Sequence, residues 1–152
     1  MPALTVVILV ALKPWLGLIH TEAKKHHVDP RTLAAIVWHE SRGNPQLVSR
    51  EANGTCSVGL AMINVRDCDP DKIARLKDPA TNIHRAAVIL RANARWCRAH
   101  PSDRYCRAGE RVFRGGGAVN HCAGRSTTFA VEIAELRRVL AQPTQSGFRP
   151  RK

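Results

Sequence analysis

The chain has 152 residues, of which 44% are hydrophobic and only 5% are aromatic. This length accommodates one compact domain with a modest core and excludes a second independent domain of ordinary size. Lys and Arg number 24 against 12 Asp and Glu, which gives a formal net charge of +12. So basic a surface favours polyanions such as nucleic acid, lipid headgroups or acidic cell-envelope polymers, or it is simply a solvated cationic face.

Five cysteines are many for this length: Cys56, Cys68, Cys97, Cys106 and Cys122. Their spacing indicates two short disulfide loops, 56–68 and 97–106, and hence folding or function outside the reducing cytosol. The alternative is five reduced cysteines buried as small hydrophobes. No two cysteines stand two to four residues apart, so no zinc-finger spacing is present, and we expect neither a metal nor a cofactor.

Residues 1–13 form an apolar segment that is too short to cross a bilayer. It lacks a positively charged start and a clear cleavage site, so it is either signal-like or the first core element. Next, Leu16, Ile19 and Ala23 share one helical face. Asp29 and Pro30 then predict the start of a second helix, because the carboxylate accepts free amides and proline suits the first turn. The Gly-Asn-Pro cluster at 43–45 ends it.

Residues 46–55 are predicted to be an irregular loop, and the apolar segment 57–65 is compatible with a strand, an extended loop or a helix start. A short helix is expected from Pro70 and a long one from Pro79. The Arg- and Gly-rich residues 98–117 are predicted to be a loop, and a last helix is expected from about Ser126. The domain thus spans 14–141, followed by a basic flexible tail at 142–152. The fold class is mainly α, with long loops and little or no β-sheet.

Glu40 is the residue that points to chemistry. Leu33, Ile36, Val37 and Glu40 stand at i, i+3, i+4 and i+7, so the carboxyl lies on the stripe that faces the core. Burial and the negative end of the helix dipole both raise its pKa and favour a protonated acid near neutral pH. The alternative is a residue at a frayed helix end, turned to solvent or paired with Arg42. His39 does not begin a zinc-protease helix, because Gly43 stands where the second histidine would be.

Four segments resemble motifs of the soluble lytic transglycosylases and goose-type lysozymes. Residues 33–45 (LAAIVWHESRGNP) resemble the first, a helix ending in Glu-Ser before a small residue, Asn and Pro. Residues 59–64 (GLAMIN) are similar to Gly-Leu-Met-Gln-Ile. Residues 78–90 resemble the helix behind the active site, and 119–130 the Tyr-Asn and Tyr-Ala motif. The departures are Met62 in place of Gln, Asn64 in place of Met, and Val119 in place of Tyr.

The resemblance implies a lysozyme-like domain that cleaves the β-1,4 bond between N-acetylmuramic acid and N-acetylglucosamine. Glu40 would be the single acid and base, giving an anhydro product, with hydrolysis by a positioned water as the alternative. The residues implied in substrate binding are Ser41, Leu60, Met62, Ile63, Asn64, Val119 and Asn120. Ser41 is otherwise an ordinary helix-end serine, and Leu60 and Ile63 are otherwise core packing.

The expected partners are peptidoglycan glycan strands and anionic envelope polymers, met by a monomer in the periplasm or outside the cell. The setting is either phage lysis or wall remodelling by a secretion or conjugation system. From another class, a nucleic-acid-binding module would explain the arginine content. The sequence has neither an aromatic-interleaved strand nor a recognisable reading helix, so no nucleic-acid partner is expected.

Overall fold

Helices dominate the structure, a computed structural model that describes residues 2–142. The helices are α1 (Pro2–Leu12), α2 (Leu16–His26), α3 (Pro30–Ser41), α4 (Pro70–Leu76), α5 (Pro79–Ala99), α6 (Arg104–Val112), α7 (Gly116–Cys122) and α8 (Phe129–Ala141). Three strands of three residues each form one antiparallel sheet in the order β1 (Val48–Arg50), β2 (Cys56–Val58), β3 (Ile63–Val65). The predicted fold class, mainly α with little sheet, is confirmed.

Aspartate caps begin four of the helices. Asp29 accepts a hydrogen bond from the Arg31 amide, and Asp69, Asp78 and Asp103 do the same for the helices that follow them. Three of these helices have proline in the first turn, where its missing amide hydrogen costs nothing. The starts predicted at Pro30, Pro70 and Pro79 are therefore confirmed.

The core forms around α3, which packs against α2 and α8, while α5 packs against α2 and α7. Its fully buried side chains include Leu33, Val37, Ile83, Val119 and Ile133. These residues recur at helical spacing along their elements, so burial of one stripe per helix assembles the domain. The C-terminal end of α3, where Glu40 lies, is thereby held against the sheet and the following turns.

The apolar segment 1–13 is helical over most of its length. Ile8 and Leu12 are fully buried in the core, whereas Val7 and Val10 on the other face are more than half exposed. The Thr5 hydroxyl lies 3.4 Å from the Val139 carbonyl, which ties α1 to α8. No single described helix is long and apolar enough to span a membrane; α1 and α2 reach that length only as a pair bent by 80°.

Two loop predictions are wrong. Residues 46–55 contain β1, and the undecided residues 57–65 contain β2 and β3 joined by a turn. Residues 98–117 form α6 and the start of α7. These helices approach so closely that a Cβ on Gly109 would lie 2.2 Å from the Gly116 carbonyl carbon. Gly109, Gly116 and Gly117, which were interpreted as loop residues, are therefore packing residues of a helix crossing. The predicted flexible tail, apart from Gln142, lies outside the described residues.

Two disulfides close the short loops that the spacing indicates. Cys56 is bonded to Cys68, which ties β2 to the 3₁₀ turn after β3, and Cys97 is bonded to Cys106, which ties α5 to α6. Cys122 is the free cysteine and is half-buried. Disulfides stabilise a small domain chiefly by restricting its unfolded chain. Each cross-link holds at least one element that is too short to be stable alone: β2 and the 3₁₀ turn in the first case, α6 in the second.

Candidate active site

Glu40 lies in the last turn of α3, and 28% of its side chain is exposed. The helix ends abruptly after it, because Arg42 adopts a left-handed conformation and Gly43 follows with φ +83°. A Cβ on Gly43 would lie 2.9 Å from the Ala11 carbonyl oxygen, so only glycine allows the chain to pass α1 here. The sharp end leaves the Glu40 carboxyl at the rim of the core.

Burial raises the pKa of the Glu40 carboxyl above its ordinary value. The nearby His39 imidazole opposes this shift, whereas the negative charges of Glu132 and Glu51 add to it. The Nδ1 atom of His39 lies 3.8 Å from Glu40 Oε1, which is beyond hydrogen-bond distance. The net result is a carboxyl group that holds its proton to a higher pH than a solvated glutamate does.

His39 connects the end of α3 to α8. Its Nε2 atom lies 3.1 Å from a carboxylate oxygen of Glu132, and its ring contacts Phe129 edge-on at a centroid distance of 4.9 Å. Its Nδ1 atom is buried without a hydrogen-bond partner. From the sequence, His39 was considered only as a metal ligand, and no pattern indicated that it lies between Glu40 and Glu132. The adjacency of His39 to Glu40 is visible in the sequence, but the contact with distant Glu132 is not.

Ser41 joins the end of α3 to the turn between β2 and β3. Its hydroxyl lies 2.8 Å from the Leu60 carbonyl and 3.2 Å from that of Val37, and its oxygen accepts from the Gly43 amide. The side chain is buried, at 5% exposure. Ser41 therefore fixes the segment after Gly59 beside Glu40.

Asn82 on α5 binds the backbone on both sides of the turn between β2 and β3. It is fully buried, donates to the carbonyls of Val58 and Leu76, and accepts from the Ala61 amide, each at 2.8 Å. A Cβ on Gly59, where φ is +78°, would lie 2.3 Å from the Asn82 amide nitrogen. Asn82 was predicted to lie in the helix behind the active site, but its side chain had no predicted role.

The predicted substrate-binding residues of this turn differ in exposure. Leu60 is fully buried and Ile63 is 9% exposed, so their side chains belong to the core. Met62 is half-buried with φ +48°, and Asn64 is exposed, with its amide donating to the Thr55 hydroxyl at 2.7 Å. Met62 and Asn64 are therefore the two side chains of this set that reach solvent.

Val119 and Asn120 on α7 are fully buried. The Asn120 amide donates to the Tyr105 carbonyl and its oxygen accepts from the Ala130 amide, both at 3.0 Å. It thus links α6, α7 and α8 from inside.

Burial raises the pKa of the neighbouring Cys122 thiol to about 11. A hydrogen bond from Asn93 opposes the shift, and the charge of Glu40 adds to it.

A separate cavity of about 640 Å³ lies among α3, α5, α6 and α7. Neither Glu40 nor any predicted substrate-binding residue lines it. Four arginines do: Arg91, Arg98, Arg107 and Arg114. Within residues 2–142 none of them is paired with a carboxylate, unlike Arg137 and Arg138. Asp29 and Glu110 also line the cavity, so its arginines outnumber its carboxylates. The cavity is distinct from the Glu40 site.

The family of this chain is shown by a segment that matches a known family model. A mainly helical domain with a half-buried glutamate at the end of a core helix has the architecture of the lysozyme-like proteins. Residues 17–106 match the family model described as the transglycosylase SLT domain. The chain belongs to this family.

A curated relative supports the same family. A protein named transglycosylase from Enterobacteria phage PRD1 is 30% identical over 79 residues, which cover 52% of this chain and 28% of the relative. The aligned segment is therefore little more than a quarter of that phage protein. No solved structure matches the chain significantly.

Proposed function

We propose that this protein is a lytic transglycosylase that cleaves the β-1,4 bond between N-acetylmuramic acid and N-acetylglucosamine in peptidoglycan. The observation that carries the proposal is the position of Glu40, half-buried at the end of a core helix with its pKa raised by burial. A general acid must hold its proton near the working pH, and partial burial of a carboxyl achieves this. Membership of the transglycosylase family supports the substrate class.

In the proposed reaction Glu40 first donates its proton to the glycosidic oxygen as the bond to the anomeric carbon breaks. The muramic acetamido group assists at that carbon. The Glu40 carboxylate then takes the proton of the sugar's own 6-hydroxyl, whose oxygen bonds to the anomeric carbon. The product is a 1,6-anhydro sugar, and Glu40 ends protonated as it began. One carboxyl therefore suffices for the whole cycle.

The other predicted site residues take two kinds of role in this proposal. Met62 and Asn64, which reach solvent, contact the glycan, and the backbone of Leu60 and Ile63 lines the cleft. Ser41 holds that backbone beside Glu40 through its bond to the Leu60 carbonyl. Val119 and Asn120 act from the core, because Asn120 fixes α7 to α6 and α8.

A second candidate is hydrolysis, in which a water molecule attacks in place of the 6-hydroxyl. A feature that would fit it is the negative charge of Glu51, which, after that of Glu132, helps to raise the pKa of Glu40. A paired carboxylate is the usual base in glycosidases that invert configuration. Hydrolysis leaves reducing ends, whereas transglycosylation leaves anhydro ends.

The proposed setting is the peptidoglycan of the periplasm or cell exterior, where the protein acts as a monomer, without nucleic acid. The two disulfides suit an oxidising compartment. The phage relative favours a role in lysis over wall remodelling by a secretion or conjugation system.

The central test is digestion of purified peptidoglycan by wild type and by Glu40→Gln, with mass analysis of the product ends. Loss of the general acid should lower the rate by about 100-fold to 10,000-fold. The matched control is Glu135→Gln, which changes an exposed glutamate paired with Arg138 and should leave the rate unchanged. Equal digestion by Glu40→Gln and wild type would reject the assignment. Absence of digestion by wild type, together with salt-sensitive retention on DNA, would favour a nucleic-acid-binding protein instead.

A further inference from the structure

Three side chains of the types that bind metal ions lie together where α2 packs against α5. Glu22 and His26 lie one turn apart on α2, and His84 lies in the second turn of α5. His84 Nδ1 and His26 Nε2 lie 2.8 Å and 3.3 Å from the same oxygen of Glu22, and the two nitrogens lie 3.3 Å from each other. None of the three belongs to the site around Glu40.

Two of these three distances match the edge length of a zinc coordination tetrahedron. Zinc is bound by imidazole nitrogen and carboxylate oxygen at about 2.0–2.1 Å, so neighbouring ligand atoms in a tetrahedral site lie about 3.3 Å apart. Two of the observed edges equal this length and the third is shorter. Two histidines and one carboxylate also form a common ligand set for divalent transition metals.

Hydrogen bonding and cation binding are two competing accounts of this triangle. If both imidazoles donate to the Glu22 oxygen, its two lone pairs accept both N–H groups. If one imidazole donates to the other, only one of them donates to Glu22 through these atoms. A cation at the centre of the three atoms would use every lone pair that points inward.

The surroundings allow a charged ligand set. Burial alone would raise the pKa of Glu22, but the hydrogen bond from His84 and the charges of Lys25, His84 and His26 lower it below its ordinary value. The Glu22 side chain is only 12% exposed. His84 is 45% exposed, so the fourth position of a tetrahedral ion would face solvent.

We propose that Glu22, His26 and His84 form a binding site for a zinc-type divalent cation that clamps α2 to α5. The fourth ligand is a water molecule. The site is independent of the proposed glycan cleavage. It also revises the expectation of no metal, which considered chiefly the cysteines and the histidines near them. A cluster of Cys97, Cys106 and His121 also exists, but its two sulfurs are joined in a disulfide and do not compete.

Isothermal titration of chelator-treated, disulfide-intact protein with zinc chloride tests the site. Wild type should bind one zinc ion, and its melting temperature should rise with zinc concentration because the ion binds only the folded chain. His84→Gln and Glu22→Gln should each weaken zinc binding by more than about 100-fold, since loss of even an outer-shell partner costs 10–100-fold. Cobalt in place of zinc should give the visible absorption of a tetrahedral nitrogen and oxygen site.

Two matched variants keep the test specific. His20→Gln removes an exposed histidine from the same helix, and Cys122→Ala removes the free thiol; both should bind zinc as wild type does. Circular dichroism of the metal-free variants checks that each is folded. A wild-type dissociation constant weaker than about 100 μM would overturn the proposal. So would unchanged zinc affinity in the folded His84→Gln and Glu22→Gln proteins.

Discussion

At the scale of single residues, Glu40 lies in a location that costs stability. Its carboxyl is largely withdrawn from water, and the neighbouring His39 imidazole lies beyond hydrogen-bond distance. A carboxyl whose pKa is raised on folding binds its proton more tightly in the native state than in the unfolded one. The favourable contribution of Glu40 to the free energy of unfolding is therefore complete below the pKa that Glu40 has in the unfolded chain. It is lost as the pH rises through the pKa that Glu40 has in the folded protein.

Glu40→Gln should consequently make the protein more stable at neutral pH while removing its activity. The amide has the shape of the protonated acid but no charge, so the gain should vanish near pH 4 and grow by about 1.4 kcal/mol for each unit by which folding raises the pKa. Urea unfolding of wild type and variant at pH 4 and pH 7 measures it. Glu135→Gln serves as the exposed control. A variant that loses stability equally at both pH values would show that Glu40 is not held in a desolvated place.

Glu51→Gln should move the alkaline limb of the activity profile to lower pH. The negative charge of Glu51 helps to raise the pKa of Glu40, so its removal lets Glu40 lose its proton earlier. The rate at acidic pH should be unchanged, and the displacement should shrink at high salt because the pair is partly exposed. Initial rates on peptidoglycan from pH 4 to 9 give the profile. A large loss of rate at every pH, with reducing product ends in wild type, would instead make Glu51 the base of a hydrolase.

The position of Glu40 was predictable, whereas its surroundings were not. Helical spacing from Leu33 is a local property, so the residue pattern alone is enough to put the carboxyl on the buried stripe. The contact of His39 with Glu132 and the three hydrogen bonds of Asn82 join distant parts of the chain. No local pattern encodes such contacts. The proposed cation site at Glu22, His26 and His84 was not predicted for the same reason, because His84 lies on a different helix from His26.

At the scale of elements, the helices that begin with an Asp-Pro pair were predictable, whereas α6 and its crossing with α7 were not. The segment that forms α6 is charged and contains Gly109, features that are typical of loops. Its helix depends on the Asp103 cap, the disulfide to α5 and the close approach of Gly116. The strands have three residues each, which is too short for an alternating pattern to be recognised.

Gly109→Ala and Gly17→Ala should have opposite effects on stability. A methyl group on Gly109 would overlap the Gly116 backbone, so we expect a loss of about 3 kcal/mol or more in the free energy of unfolding. A methyl group on Gly17, on α2, meets nothing within 4 Å and should add about 1 kcal/mol through helix propensity. Denaturant unfolding of both variants measures the pair. A tolerated Gly109→Ala would contradict the close crossing of α6 and α7.

At the scale of the whole molecule, the protein carries excess positive charge, and most of its acidic side chains already accept hydrogen bonds or form ion pairs within the domain. Several aspartates cap helices, and Asp29 also accepts from Arg137. The cavity arginines have no such partners among the described residues. Unpaired cations around a concave surface produce a positive potential that attracts polyanions and raises their local concentration. The basic cavity is therefore where we expect anionic cell-envelope polymers to bind.

Binding to insoluble peptidoglycan that retains its anionic polymers should depend on salt and on this cavity. Measured with Glu40→Gln, so that the glycan stays intact, affinity should fall by about tenfold as sodium chloride rises from about 0.1 M to 1 M, where the screening length shortens from about 10 Å to 3 Å. Arg107→Gln should weaken binding a few-fold at low salt and not at high salt. Arg138→Gln, which removes a cation already paired with Glu135, should change neither value. Equal effects of the two substitutions would mean that net charge, rather than the cavity, attracts the polymer.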